Sequence, residues 1–305
     1  MRIIIDCDPG HDDAIALILA HQHAEVIGIT TVSGNVPLTL TTANALLVME
    51  VIGRDTPVHA GASRPLVAKP VHASHVHGES GLGSVERIAH NRAPSSEDGI
   101  AFLLETATRD TGIVALGPLT NLAIAIQRDP EWVNRIAGIF LMGGSTDVGN
   151  VTTVAEFNIY ADPEAADVVF RSGAQITMCG LNVTRQIMTT DYVIERLRTC
   201  GSRAAIFSVK VLTDLHAQLE LLTGRREAAL HDPCAVLSAT HPNLFECTPR
   251  SVTVELDGTF TRGMTVVDQR QVPEFKHSNA RVAYNVHASR AMEVILQSLG
   301  VEDAS

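Results

Sequence analysis

Near its start the chain runs Arg2-Ile-Ile-Ile-Asp6-Cys-Asp8-Pro-Gly-His-Asp12-Asp13, so an apolar run drives straight into four aspartates within eight residues. Ile3 to Ile5 reads as a buried strand. Ala14 to Ala20, on the other side, reads as an apolar-patterned helix. The acidic segment is therefore the turn between a core strand and a core helix. Carboxylates packed this closely repel one another, and burying them ionised is costly. A bound cation is the simplest way to keep them charged together, so the segment points to a metal site. Either Asp12 or Asp13 could instead cap the helix that follows. That explains one aspartate and leaves three. An all-oxygen donor set implies a hard ion, Ca²⁺ or Mg²⁺.

The rest of the chain repeats the strand-then-helix alternation. Glu25 to Thr31, Gly112 to Leu116, Ile136 to Met142 and Gln175 to Cys179 read as strands. Helices are expected from about Pro37 to Val51 and from Leu119 to Gln127. Another begins at Asp162-Pro163-Glu164, where Asp caps, Pro fits the first turn and Glu favours the dipole. The pattern predicts an α/β fold with a mostly parallel sheet and helices on both faces. In such sheets ligands bind at the carboxyl ends of strands, which is where the acidic turn sits. Gly61 to Pro94, rich in Gly, His, Ser and Pro, reads as a long active-site loop. Its His72, His75 and His77 have no Cys or acidic partner at zinc-ligand spacing. After Leu181 the chain reads as helical through Leu222. Short strands return from about Phe245 to Val286, as an added sheet element or edge. With no repeat, low-complexity tract or clean linker, residues 1–305 are expected to form one domain.

Composition narrows the partners. The chain has 305 residues, a formal net charge of −11 and no basic block, which speaks against nucleic acid. No apolar stretch approaches the ~20 residues needed to cross a bilayer. A strand begins by the second residue, so no signal peptide is expected. The five cysteines are odd in number and scattered, as reduced structural thiols in a cytoplasm would be. Cys7 reads as a small apolar filler between the aspartates.

Further groups with chemical potential fall near strand ends. Thr31-Val-Ser-Gly34-Asn35, Leu116-Gly-Pro-Leu-Thr120-Asn121 and Leu141-Met-Gly-Gly144 each follow a strand. Gly there most often means only a tight turn. Asn35, Glu156 and Asn158 are amides and a carboxylate near apolar core, a combination suited to polyol hydroxyls such as those of ribose. His231-Asp232-Pro233 precedes the apolar helical run Cys234 to Ala239. Asp before Pro is a common N-cap pattern, so structure alone would justify Asp232. The adjacent His231 adds a side chain suited to proton transfer near neutral pH.

Taken in order, these residues resemble the inosine-uridine type nucleoside hydrolases. Asp6-Cys-Asp-Pro-Gly-His-Asp-Asp13 looks like that family's DxDPGxDD signature. The likeness continues through Gly34-Asn35, His77-Gly-Glu-Ser-Gly-Leu-Gly83, Leu116-Gly-Pro-Leu-Thr-Asn121, Leu141-Met-Gly-Gly144, Glu156-Phe157-Asn158 and His231-Asp232. The resemblance implies a single Rossmann-like domain, a homodimer or homotetramer, and hydrolysis of ribonucleosides to ribose and free base with one Ca²⁺. It implies Asp8, Asp13, Asp232 and the Leu116 carbonyl as ion ligands, with Asp8 also the general base. Asp12 and Asn158 would hold ribose hydroxyls. Asn35, Met142, Asn150, Glu156 and Phe157 would line the sugar pocket, and Asp6 would support the turn from behind. His231 would assist the leaving base, which His77 would contact. Purine-specific relatives stack the base between tryptophans, and Trp132 here reads as a packing residue. Pyrimidine-preferring relatives carry tyrosines on the helix before the His-Asp-Pro element. The matching stretch, Leu212 to Leu230, has neither Tyr nor Phe and offers His216, Gln218, Glu220 and Arg225.

Two other readings compete. Asp6-Cys-Asp8 after a strand resembles the DxD of haloacid-dehalogenase-like phosphatases, with Asp6 as nucleophile, but the later Lys and second acidic pair are not found. A non-catalytic nucleoside-binding protein would have no use for both Asp8 and His231.

Overall fold

The computed structural model describes residues 1–85, 91–270 and 277–302. Strand β1 (Arg2–Cys7) passes through the acidic turn into helix α1 (His11–His23). Next come β2 (Glu25–Thr31), α2 (Leu38–Ile52), β3 (Val58–Ala60), the short α3 (Ser74–His77) and α4 (Gly99–Thr106). The middle of the chain gives β4 (Thr111–Ala115), α5 (Thr120–Arg128), β5 (Gly138–Met142), α6 (Phe157–Ala161), α7 (Pro163–Arg171) and β6 (Ile176–Cys179). It continues with α8 (Leu181–Thr184), β7 (Met188–Thr189), α9 (Asp191–Arg198), α10 (Arg203–Thr223), β8 (Ala228–Ala229) and α11 (Asp232–Thr240). The last part holds β9 (Phe245–Arg250), β10 (Val252–Val254), β11 (Thr265–Val267), β12 (Ala280–Val286) and α12 (Ala288–Ser298).

Eight strands form the central sheet in the order β3-β2-β1-β4-β5-β6-β12-β9. Every neighbouring pair is parallel except β12 with β9, which closes one edge antiparallel. The order reverses direction between β1 and β4. That switch point leaves a crevice beyond the carboxyl ends of the two strands, the place where open α/β sheets hold ligands. Both the acidic turn after β1 and Leu116 after β4 open onto it.

The alternation of β1 explains how the core is divided. Ile3, Ile5 and Cys7 join a buried cluster with α1, α2, α10 and α11, whereas Ile4 joins a second cluster with α4, α5 and α7. Successive side chains of a strand point to opposite faces, so the run Ile3-Ile4-Ile5 feeds both cores at once. Helix α1 is buried from His11 through Ala20 because α2, α10, α11 and α12 all pack around it. Cys7 is fully buried, as its filler reading required. Trp132 is fully buried too, and its indole N–H donates to the Leu103 carbonyl at 3.1 Å. It is a packing residue.

Two expectations need correction. The stretch after Leu181 is not one helical run: α8, β7, α9 and α10 share it, with Asp191, Ser202 and neighbouring polar residues marking fresh starts. The returning strands also divide. β12 enters the main sheet between β6 and β9, while among the described residues β10 and β11 form a separate two-stranded pair. Of the Gly61 to Pro94 loop, residues 86–90 lie outside the described residues.

Candidate active site

The acidic turn distributes its four carboxylates among different surroundings. Asp6 follows the parity of Ile4 and points away from α1. Its Oδ1 accepts from Thr30 Oγ1 at 2.5 Å and Asn121 Nδ2 at 2.7 Å, and its main-chain carbonyl accepts the Leu116 N–H at 2.7 Å. Burial pushes its carboxyl up to about 7. Asp6 thus ties β1 to β2 and to the segment after β4, behind the site. Its Oδ2 is buried without a partner.

Asp8 is also fully buried. Its Oδ2 accepts the Asn35 N–H at 2.6 Å, while Oδ1 is buried with no partner. Gly34 and Gly117 both lie against this carboxylate. A Cβ at either would overlap it, so the close approach requires glycine. Asp13 caps the helix and faces the site together. Its Oδ2 accepts from the Gly10 N–H at 2.9 Å and Asn35 Nδ2 at 3.2 Å, and its Oδ1 from the Asp8 N–H at 3.3 Å.

From over two hundred residues downstream, α11 brings Asp232 to the same place. Asp12, Asp13 and Asp232 each offer an oxygen within 4.8 Å of the others. Pro233 opens the helix as expected, but His231 occupies the N-cap and the Asp232 carboxylate turns to Asp13. Burial, reinforced by neighbouring carboxylates, drives Asp8 and Asp232 well above the ordinary range and Asp13 to about 7. The donor set fits a hard cation. Several buried carboxylates converge, one buried oxygen of Asp8 lacks a partner, and nearby main-chain oxygens add to the set.

A cavity of about 490 Å³ opens above this cluster. Asp12, Asn35, Leu116, Met142, Asn158 and Asp232 are among the residues that line it. Asn158 Nδ2 donates to the Leu116 carbonyl at 2.6 Å and the Met142 carbonyl at 3.1 Å, pinning the ends of β4 and β5 together. The Leu116 carbonyl keeps a second lone pair for another partner. Asn150, Glu156 and Phe157 form one wall. Asn150 Oδ1 accepts the Phe157 N–H at 3.0 Å.

Glu156 is the N-cap of α6. Its carboxylate accepts the N–H groups of Asn158 and Gly144, both at 2.9 Å, and of Ile159 at 3.2 Å. Gly144, at φ +72°, turns its amide back after β5 to reach it. Burial raises the Glu156 carboxyl to about 7. Glu156→Gln leaves a single acceptor for three amides. We expect it to destabilise the protein by about 1–3 kcal/mol, measured by denaturant unfolding, and to raise KM because Asn158 loses its anchor.

The cavity is also lined by His77 on α3 and His231 at the start of α11. His231 Nδ1 lies 2.7 Å from Thr184 Oγ1, which leaves Nε2 for the cavity. Burial lowers the His231 pKa, and lowers that of His77 to about 3. His72 is instead structural, with Nδ1 2.8 Å from the Gly34 carbonyl.

The outer rim corrects the reading of α10. His216 is buried against Thr189 Oγ1 at 2.9 Å, and Gln218, Glu220 and Arg225 are not on the cavity wall. Leu215, Leu219, Leu222 and Thr223 are. Their spacing places them on one helical face, with His216, Gln218 and Glu220 turned elsewhere. Arg185 was also missed. It lines the cavity while donating to the Gly149 carbonyl at 2.8 Å. Nothing in the sequence around it marks the contact.

The fold and this crevice are those of a nucleoside hydrolase. The model of the family described as inosine-uridine preferring nucleoside hydrolase matches residues 3–293. The inosine-uridine preferring nucleoside hydrolase of Crithidia fasciculata is 37% identical over 306 residues, covering 98% of this chain and 97% of that one. The pyrimidine-specific ribonucleoside hydrolase RihA of Shewanella baltica is 39% identical, covering 99% and 97%. A solved plant nucleoside hydrolase, PpNRh1, superposes with a TM-score of 0.92 at 32% identity over 99% of both chains. The chain belongs to the inosine-uridine preferring nucleoside hydrolase family. It is a ribonucleoside hydrolase, an N-glycosidase.

Proposed function

We propose that the enzyme hydrolyses ribonucleosides with Ca²⁺ held by Asp8, Asp13, Asp232 and the Leu116 carbonyl, and with broad tolerance of the base. The observation that carries this reading is the convergence of oxygens from Asp12, Asp13 and Asp232 at the sheet's switch point, beside an Asp8 carboxylate that feels the charge of Asp13 and has a buried, unpartnered Oδ1. Carboxylates, a carbonyl and two substrate hydroxyls suit an ion that takes about 6–8 oxygens. When bound, such an ion supplies Lewis acidity toward water and hydroxyl oxygens.

The side chains divide the remaining work. Asp8 Oδ1 takes a proton from the attacking water as its oxygen bonds to the anomeric carbon. Asp12 and the Asn158 carbonyl oxygen receive ribose hydroxyls, and Asn35 and Glu156 keep those groups in register. The ribosyl group passes through an oxocarbenium-like state as the carbon–nitrogen bond opens. The electron pair leaves with the base, which accepts a hydrogen bond from His231 Nε2–H and draws its proton from water. In this reading the Thr184 hydroxyl, 2.7 Å from His231 Nδ1, donates to that nitrogen, so the neutral ring carries its proton on Nε2.

The base lies against the aliphatic face of α10. Leucine side chains exclude water without reading the edge of a ring, which is why base preference is broad. Released ribose from a panel of inosine, adenosine, guanosine, uridine and cytidine tests this. Inosine and uridine should differ in kcat/KM by less than about 10-fold, as weak apolar discrimination implies. No release from any of the five would overturn the reading.

We also propose a homodimer or homotetramer, checked by light scattering. A reducing, cytoplasmic setting is supported by the five unpaired thiols. Among the described residues no helix is long and apolar enough to cross a membrane.

A further inference from the structure

One residue of the acidic turn has no task in the scheme above. His11 is fully buried, and its ring stacks on His77 with centroids 5.2 Å apart and planes inclined by 26°. The two Nδ1 atoms stand 3.0 Å apart. Two neutral imidazoles meet in this way only if one nitrogen carries a proton and the other a lone pair.

The main chain decides which is which. The His11 backbone N–H also points at His77 Nδ1, at 3.3 Å. An amide N–H can only donate, so His77 Nδ1 is the acceptor and its proton sits on Nε2. By the same reasoning His11 Nδ1 carries a proton. That leaves a lone pair on His11 Nε2, a buried atom without a partner. Glycine at position 10 permits this approach, because a Cβ there would stand 2.6 Å from His77 Nδ1. His77 itself lines the cavity, with Nε2 as the ring nitrogen left to face it.

We propose that His11 is a positioning residue: through its backbone N–H and ring Nδ1–H it fixes His77 as an Nε2–H donor toward the leaving base. This rests on the ribonucleoside hydrolase reading above. A donor of fixed direction stabilises electron density gathering on the base as its bond to ribose breaks. A leaving group that is already a good one gains little from it.

The test uses the full chain with ¹⁵N-labelled histidine. Long-range ¹H–¹⁵N spectra at neutral pH should show His77 protonated at Nε2 and bare at Nδ1. His11→Phe keeps a ring but removes its donor, whereas His11→Asn places an amide N–H near the lost Nδ1–H. For His11→Phe, kcat/KM on inosine should fall about 10-fold, with a change under about 2-fold on p-nitrophenyl riboside, whose leaving group needs no such help. His11→Asn should restore the inosine rate and the His77 tautomer. A His77 ring protonated at Nδ1 in the parent would overturn the proposal, as would equal losses on both substrates or no loss at all. If His11→Phe fails to fold, the parent spectrum still decides. A parent that releases no ribose from inosine defeats the functional reading alone, because the tautomer is read without turnover.

Discussion

Asp8→Asn should lower kcat by about 10³-fold, the scale expected for loss of a general base that also holds the ion. The substitution is nearly isosteric. Its amide oxygen can still accept the Asn35 N–H that now binds Oδ2 at 2.6 Å, and its amide nitrogen takes the place of the unpartnered Oδ1. The charge and the proton acceptor are therefore removed while the fold is kept. The same change should raise the melting temperature of the ion-free protein at pH 8. Burial and the neighbouring Asp13 disfavour the ionised Asp8 carboxylate, and the amide has no charge to bury. Lost activity together with gained ion-free stability is a pairing that simple damage to the fold does not produce. Steady-state kinetics and thermal melts on the one variant check both.

Removing divalent ions should abolish ribose release and make stability depend strongly on pH. In the ion-free protein burial raises Asp13 from the ordinary carboxylate range to about 7, and Asp8 and Asp232 well above it. The folded state therefore holds more protons than the unfolded chain between about pH 4 and pH 7. Stability falls as pH rises through that window and stays low above it. A bound cation reverses this, because it favours the charged form of the same groups. The gap in melting temperature between ion-loaded and chelated protein should widen steadily from pH 5 to pH 8. At a thousandfold excess over Kd the ion adds about 4 kcal/mol. A gap that does not change with pH would separate the ion from these carboxylates.

Much of this site could be read before any coordinates. The strand, acidic turn and helix at the N-terminus follow from the apolar run and the spacing of the aspartates. Strand parity sent Asp6 to the face opposite Cys7. Proline after Asp162 and Asp232 marked both helix starts. What escaped the sequence depends on distant neighbours. The partner of His11 is 66 positions away, and the Arg185 contacts with Val148 and Gly149 are 37 and 36 positions away. In α10 the polar residues drew attention because they carry chemistry, yet helical periodicity turned the leucines to the cavity. β12 reads as a short strand like its neighbours, and only pairing with β6 places it inside the main sheet.

On the proposal above, buried carboxylates at the switch point hold a calcium ion on which hydrolysis depends. Titrating Ca²⁺ into chelated protein at pH 8, with ribose release from inosine followed throughout, tests it most directly. Activity should rise from background and saturate at a single ion per chain, with no response in Asp8→Asn. Full activity in the stripped protein before any ion is added would contradict the account.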